Sequence, residues 1–285
     1  MSHYVNSLRK TGFALTGKLN MKQIQAQLPE PALKRIKPSS LVVKFGKKIR
    51  RHVDRVLAKN SKVGNLPVFE SSAFSFTKLL EDNADIIAQE ARAVLAQHDG
   101  VHPIHEVSPD HSRIAHDKKW KSLFLIGYGY RFNHNCARCP ETTKILEKIP
   151  GLNSGFFSIM EAGADIPSHC GVTKALLTCH LGLVIPDNFY SCGIKICDKV
   201  CHWQQGKTLV FDDTFRHEAW NRASGDRVVL LLQFDRPMTL LGRLVGGLFL
   251  SGIRGSSFVQ DGRRNVVERD KALGLKASSS PFYPL

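Results

Sequence analysis

A small set of polar side chains in the second half of the chain stands where chemistry can use it. His169 lies in the turn Pro167-Ser168-His169-Cys170-Gly171, and His217 follows the turn Asp212-Asp213-Thr214-Phe215-Arg216. Between them Thr178 and His180 occupy one face of an apolar strand, because strand side chains alternate with period two. Arg227 opens the last apolar strand and shares a face with Val229, Leu231 and Gln233. Imidazoles serve as metal ligands, acids or bases. A guanidinium on a buried face needs an anionic partner, since burying its charge alone is costly. The strand offers none, whereas a bound dicarboxylate would. Each residue also has a plainer reading. A histidine in a turn is usually a surface or hydrogen-bonded group, and Arg227 has Asp226 beside it as a rim partner. The joint arrangement, and not any one residue, points to a site.

Short β segments must position these groups. From Gly155 onward the candidates are 156–160, 175–184, 193–196, 207–211 and 227–234, broken by Gly, Pro, Asp and Asn. Short strands separated by turn signals predict an all-β sandwich or barrel and not alternating β-α units. The segment 227–234 is apolar on both faces and should lie deep within the sheets. Helical spacing is predicted over 77–97, where Leu80, Ala84, Ile87, Ala91 and Val94 recur, and from Pro140 until Pro150 stops it. Farther upstream Phe45, Ile49, Val53 and Val56 recur among Lys44, Lys47, Lys48, Arg50, Arg51 and Arg55. Such a basic amphipathic helix suits either a membrane interface or a dock on its own domain with the basic face in water. The run 240–253 is rich in Leu and Gly, too short to span a bilayer, and suited to touching lipid or packing on the barrel. Residues 260–285 read as a wrapping or frayed tail.

Composition narrows the class. Hydrophobic residues make up 42% of the 285, enough to bury a core. Residues 1–60 hold 14 Lys or Arg against Glu30 and Asp54, a net of +12 that leaves +3 of the total +15 for the rest. A basic arm on a nearly neutral globule suits an anionic membrane leaflet, or it simply stays solvated. The arm lacks aromatic interleaving and any recognised nucleic-acid module, so nucleic acid is not the expected partner. Seven cysteines, with no export signal and no second close pair beside Cys136-x-x-Cys139, are expected to be free thiols in a reducing compartment. The expected location is the cytoplasm, either free or peripheral at the inner face of a membrane. The organisation read from these shifts is a basic arm with an amphipathic helix over 1–64, a chemical domain over 65–237 and an apolar, basic tail over 238–285.

From Ser158 to Pro237 the chain resembles the aspartyl/asparaginyl β-hydroxylase family, a branch of the iron(II)- and 2-oxoglutarate-dependent dioxygenases. The matching words are Ser158-Ile-Met, His169-Cys-Gly-Val-Thr173, His180-Leu-Gly-Leu-Val-Ile-Pro186, Trp203 through Asp213, Thr214-Phe-Arg-His217-Glu-Ala-Trp220, and Arg227 through Pro237. The resemblance implies a mainly β fold, a double-stranded β-helix of the jelly-roll or cupin-like kind with flanking N-terminal helices. It implies that His169 and His217 hold Fe(II), that Ser158 and Arg227 bind the distal carboxylate of 2-oxoglutarate, and that His180 contacts its chelating end. No catalytic residue beyond the metal ligands is implied. The reaction implied is hydroxylation of a C–H bond, with succinate and CO2 as co-products.

The chain departs from the family pattern at the metal and at the substrate. Most such oxygenases carry a carboxylate two residues after the first histidine; here stands Gly171, as in the eukaryotic family members, and water is expected to fill the place. Members that hydroxylate Asp or Asn in proteins carry two arginines where this chain has Leu176 and Thr178, and Asn where Lys174 stands. Bacterial relatives include enzymes acting on the acyl chains of membrane lipids, although these have Asp where Gly171 stands. The expected substrate is therefore either a protein Asp/Asn residue or a membrane-lipid acyl chain. Lys174, Thr178, Trp120 and Tyr130 are the substrate-lining candidates, with Tyr128 and Arg131 in the same aromatic segment. Gly171 and the missing arginines also motivate an alternative, a catalytically silent barrel that binds a ligand or partner.

Overall fold

Strand alternation and long-range pairing build the site. The computed structural model describes residues 40–97, 100–107, 111, 114, 115 and 117–282; the arm expected over residues 1–39 lies outside them. The elements are α1 (Ser40–Lys59), β1 (Val68–Phe69), α2 (Phe76–Asp82), α3 (Ala84–Gln97), β2 (His102–Pro103), α4 (Ile104–Val107), β3 (Trp120–Gly127), β4 (Tyr130–Phe132), α5 (Asn133–Arg138) and α6 (Pro140–Glu147). There follow β5 (Leu152–Met160), β6 (Ala164–His169), β7 (Leu176–Val184), β8 (Cys192–Ile196), β9 (Lys199–Cys201), β10 (Thr208–Phe211), β11 (His217–Asn221), β12 (Arg227–Asp235), α7 (Leu240–Gly255), α8 (Ser257–Ala272) and β13 (Ser279–Pro281). By packing, the chain divides at residue 44, and the sheets belong to the unit from Phe45 onward.

The larger sheet runs β1-β10-β7-β12-β5-β3-β4-β13, with β2 on the free part of β3; the smaller runs β6-β11-β8-β9. Every ladder is antiparallel, and β12 sits between β5 and β7 although far from both in sequence. These crossovers are those of a double-stranded β-helix, a relative of the jelly roll. On β12 the residues Val228, Leu230, Leu232 and Phe234 point to the helical side, where they meet Leu177, Cys179 and Leu181 of β7 and Ile87 and Ala91 of α3. Val229, from the other face, packs inside the barrel with Trp203, Phe211 and Ile194. The strand is apolar on both faces because a core lies on each side of it.

Local reading and structure differ in places that have physical causes. The helix expected over 77–97 breaks at Asn83, whose side-chain amide donates to the Leu79 carbonyl at 2.8 Å and competes with the helical ladder. Among the described side chains of α1 the buried one is Leu57, with Val53 half-buried, both packed among Ala175, Leu176, Met238 and Leu250. Ile49 and Val56, expected on the same stripe, are exposed. Residues 260–282 wrap and do not fray. Within α8, Val266 packs with Val107 and Phe132, and β13 pairs with β4 to complete the sheet edge. A buried contact of 2.8 Å between His102 Nε2 and Asp270 Oδ1 ties α8 to β2.

Candidate active site

β6 ends at His169 and β11 begins at His217, and the ladder between them sets these two residues directly opposite each other. The imidazole centroids are 4.1 Å apart. Each ring is oriented by its own turn. His169 Nδ1 donates to the Pro167 carbonyl and His217 Nδ1 to the Phe215 carbonyl, both at 2.9 Å. With the proton on Nδ1, each Nε2 keeps a lone pair, which is what a metal ligand requires. Burial, then the neighbouring His217, holds His169 down to about 4, and burial likewise lowers His217. Both rings are thus neutral at physiological pH. A donor set of two imidazoles with open positions suits iron(II).

His180 carries the opposite tautomer. Trp203 Nε1 can only donate, and it donates to His180 Nδ1 at 3.1 Å, so the His180 proton sits on Nε2. That Nε2 is buried and meets no acceptor in the protein. Arg227, 2% exposed, lies over the Trp203 ring at 4.4 Å. Its Nη1 donates to the Ser158 carbonyl at 3.4 Å, and its buried Nε has no protein partner. The Asp226 carboxylate accepts instead from the backbone N–H of Ala162 at 3.3 Å. Ser158 Oγ accepts from Trp120 Nε1 at 3.0 Å and keeps its own proton to donate. Burial lowers the pKa of Arg227, the signature of a charge without a counter-ion. These groups line a cavity of about 250 Å³ together with His169 and His217. A dicarboxylate with a 2-oxo group fits this set: one carboxylate for Arg227 and Ser158, the chelating end for His180 and the metal.

The space that a side chain at position 171 would occupy is taken by the Asp213 carboxylate of another loop. A Cβ on Gly171 would collide with the Asp213 carboxylate, and the Gly171 N–H donates to the Asp213 carbonyl at 2.6 Å. The Asp213 carboxylate accepts from Thr178 Oγ1 and Gln233 Nε2, each at 3.2 Å. Burial and the neighbouring Asp212 push its carboxyl up to about 6. Among the described residues no third His, Cys, Asp or Glu joins the histidine pair as a metal cluster, so Asp213 stands beside the pair and not in it.

Lys174 does not reach the cavity wall. Its Nζ binds the fully buried Asp212 at 2.8 Å, alongside Arg236, and lies 4.2 Å from the Phe215 ring centroid. Its backbone N–H donates to Asp54 of α1 at 3.0 Å, and Arg50 of α1 donates to the Gly171 carbonyl. Helix α1 therefore clamps the loop that follows His169. Trp120 and Thr178 line the cavity, whereas Tyr130 does not. The Tyr130 hydroxyl accepts from Gln260 at 3.1 Å, its ring lies under Arg263, and Arg131 pairs with Glu147. Tyr128 lines the cavity from a tight hairpin turn in which it and Gly129 take φ of 49° and 78°. Sequence reasoning assigned no role to Asp213, Trp203, Gln233 or Phe258, all of which line the cavity. The shared face of Arg227 and Gln233 was a usable signal for one of them; for Phe258 the sequence carries none.

Comparison with known proteins agrees with this geometry. A sequence profile described as aspartyl/asparaginyl beta-hydroxylase matches residues 81–237. The ornithine lipid ester-linked acyl 2-hydroxylase of Rhizobium tropici is 33% identical over 240 residues, covering 84% of this chain and 85% of that protein. The aspartyl/asparaginyl beta-hydroxylase of Homo sapiens is 32% identical over 173 residues, 59% of this chain but 22% of that protein. The match to the human protein thus spans about a fifth of its length. A profile that covers more than half of the chain, laid over the strands that carry the site, makes the chain a member of the aspartyl/asparaginyl β-hydroxylase family.

Proposed function

We infer that the barrel is an iron(II)- and 2-oxoglutarate-dependent dioxygenase that hydroxylates a C–H bond in the acyl chain of a membrane lipid. The observation that carries this reading is the division of tautomers around one cavity. His169 and His217 offer lone pairs, His180 offers a proton, and Arg227 offers a charge with no protein counter-ion. Iron and 2-oxoglutarate, when bound, supply the oxidising chemistry: C–H, O2 and 2-oxoglutarate become C–OH, succinate and CO2. The protein's own part is binding and orientation. His169 and His217 hold the metal, and Arg227 with Ser158 fixes the distal carboxylate by charge-assisted hydrogen bonds. His180 orients the chelating end through its Nε2–H, and Trp203 keeps that proton in place.

The cavity wall favours an apolar substrate. Ile104, Phe124, Phe156, Ile166, Ile194 and Phe258 contribute to it. Lys174, a substrate-lining candidate by sequence, is held by Asp212. The Rhizobium relative, named for acyl 2-hydroxylation and matched along most of both chains, supports the same substrate class.

The test begins without oxygen. Fe(II) and 2-oxoglutarate added to the purified protein should give the visible charge-transfer band of the chelate. His217→Ala should abolish the band, and Arg227→Ala should demand roughly 100-fold more 2-oxoglutarate to reach it, as expected for loss of a buried charged partner. With oxygen admitted, incubation with membrane lipid extract should add one oxygen to an acyl chain. Oxygen gained by an Asp/Asn peptide library instead would move the substrate to protein. A folded protein with excess iron and no band would leave a silent binding barrel.

A further inference from the structure

The helices beside the barrel leave an apolar face uncovered. α7 turns Gly242, Gly246 and Leu250 inward. A Cβ on Gly242 would press on Asn60 and Met238, and one on Gly246 would touch Ala175 and Leu57, so these glycines let α7 lie close on α1 and the start of β7. Leu57, Leu176, Met238 and Leu250 close the seam. The other side of α7 presents Leu240, Leu241, Leu244 and Leu248, which are 75, 56, 61 and 70% exposed. Spacing by four puts Leu240, Leu244 and Leu248 in one row along the helix. Ile49 and Val56 of α1 are exposed as well. Leucines scattered singly on a surface need no explanation, but a contiguous row marks a contact surface.

Charge identifies what the row contacts. α7 contains no acidic residue and carries Arg243 and Arg254, both exposed. On α1, Arg51, Arg55 and Lys59 are exposed. The single acid of α1, Asp54, is turned to Arg50 and to the backbone of Lys174. An apolar row bordered by cations, with no outward acid on either helix, is the pattern of helices lying in the interface of an anionic bilayer. α7 is 16 residues long, and no helix among the described residues is long and apolar enough to cross a membrane, so the contact lies in the membrane plane. α1 touches the loop after His169, and α8, which follows α7 in the chain, reaches the cavity. Arg50 holds the carbonyl of Gly171, and Phe258, shortly after α7, lines the cavity with its ring 5.5 Å from that of Tyr128.

We propose that α7 and the exposed side of α1 dock this protein in the plane of an anionic lipid bilayer, next to the acyl chains it hydroxylates. The proposal extends the acyl-chain reading and rests on it for its purpose, while the surface itself is tested separately. Flotation of the full chain with vesicles of phosphatidylcholine and phosphatidylglycerol, two to one, is compared with phosphatidylcholine alone. The wild type should float with the mixed vesicles, less so as salt rises. Leu240→Asp, Leu244→Asp and Leu248→Asp combined should lower vesicle affinity at least about tenfold, since each leucine loses its apolar burial. The melting temperature and the chelate band of this variant should match the wild type. Wild type that stays with neither vesicle overturns the proposal. So does a triple variant that floats as well as the wild type, which would put the tether in residues 1–39. So does a wild-type dimer, seen by sedimentation without vesicles, that the triple variant dissolves, since a second copy would then cover the row. Flotation without a chelate band sinks the enzymatic reading and leaves the docking surface standing; a band without flotation does the reverse.

Discussion

Gly171 and Asp213 share one volume, and that makes them energetically coupled. Gly171→Ala must displace the Asp213 carboxylate from its bonds to Thr178 and Gln233. The expected cost is about 1–3 kcal/mol, the range for overpacking a closed site. Asp213→Ala opens the space, so the double variant should lose less than the two single losses added. A denaturant double-mutant cycle should find coupling of about 1 kcal/mol or more; strict additivity would mean that the loop moves aside freely. Trp203 acts at the same scale. Trp203→Phe removes the N–H that holds the His180 proton on Nε2. Titration of the anaerobic chelate should show 2-oxoglutarate binding weakened roughly tenfold, the worth of about one hydrogen bond. Iron binding without 2-oxoglutarate should be unchanged, because neither ligand touches Trp203's N–H.

At the scale of elements, the C-terminal segment belongs to the sheet system and to the cavity. α8 is tied to β2 by His102 and Asp270, and it carries Phe258 to the cavity wall. Asp270 is 2% exposed, so Asp270→Ala leaves a buried imidazole nitrogen without its acceptor. That should cost about 1–3 kcal/mol. Hydrogen exchange should speed up selectively in α8 and β13 while β5, β7 and β12 stay protected. Equal loosening of the central strands would mean that α8 is a cooperative part of the barrel. The expectation of a wrapping or frayed tail was a reading of composition. Composition marks polar helices as tails because it does not see the few residues, such as Val259 and Val266, that bury them.

For the whole molecule, the three neutral histidines make the metal-free protein acid-labile. His169 is held down to about 4, His217 is lowered, and His180 lies well below the ordinary value, each chiefly by burial. Between about pH 6.5 and the lowered native values, the unfolded chain binds protons that the native state refuses, so stability falls as pH falls through that window. Asp213, raised to about 6, acts in the opposite sense: its share of stability is present at low pH and is lost as pH rises from 3.8 toward 6. Asp235, also raised by burial, acts with Asp213, whereas Glu81, lowered, acts with the histidines; the histidines carry the balance, and the melting temperature of the metal-free protein should drop from pH 6.5 to pH 4. His180→Asn should flatten that slope. A melting temperature that stays level in the wild type would mean that the histidines are protonated in the folded state. Bound metal should steepen the loss, because protons compete for the lone pairs of His169 and His217.

Alternation along the chain placed Thr178 with His180 on one face of β7, and Arg227 with Gln233 on one face of β12; the register between the two strands, which turns both pairs to one space, came from the fold. The sequence by itself also determined the family, through motif words whose order and spacing are local facts. The rest came from contacts between elements distant in the chain. The ladder that sets His169 opposite His217 joins β6 and β11, neither of which local pattern picked out as a strand. Trp203, 23 residues from His180, chooses the tautomer; Asp213 takes the space beside Gly171; Asp212 captures Lys174; and α8 brings in Phe258. Alternation of period two is carried by neighbouring residues and is therefore legible in order. Which distant side chain satisfies a buried proton, charge or void depends on how the sheets close, and no local periodicity encodes that.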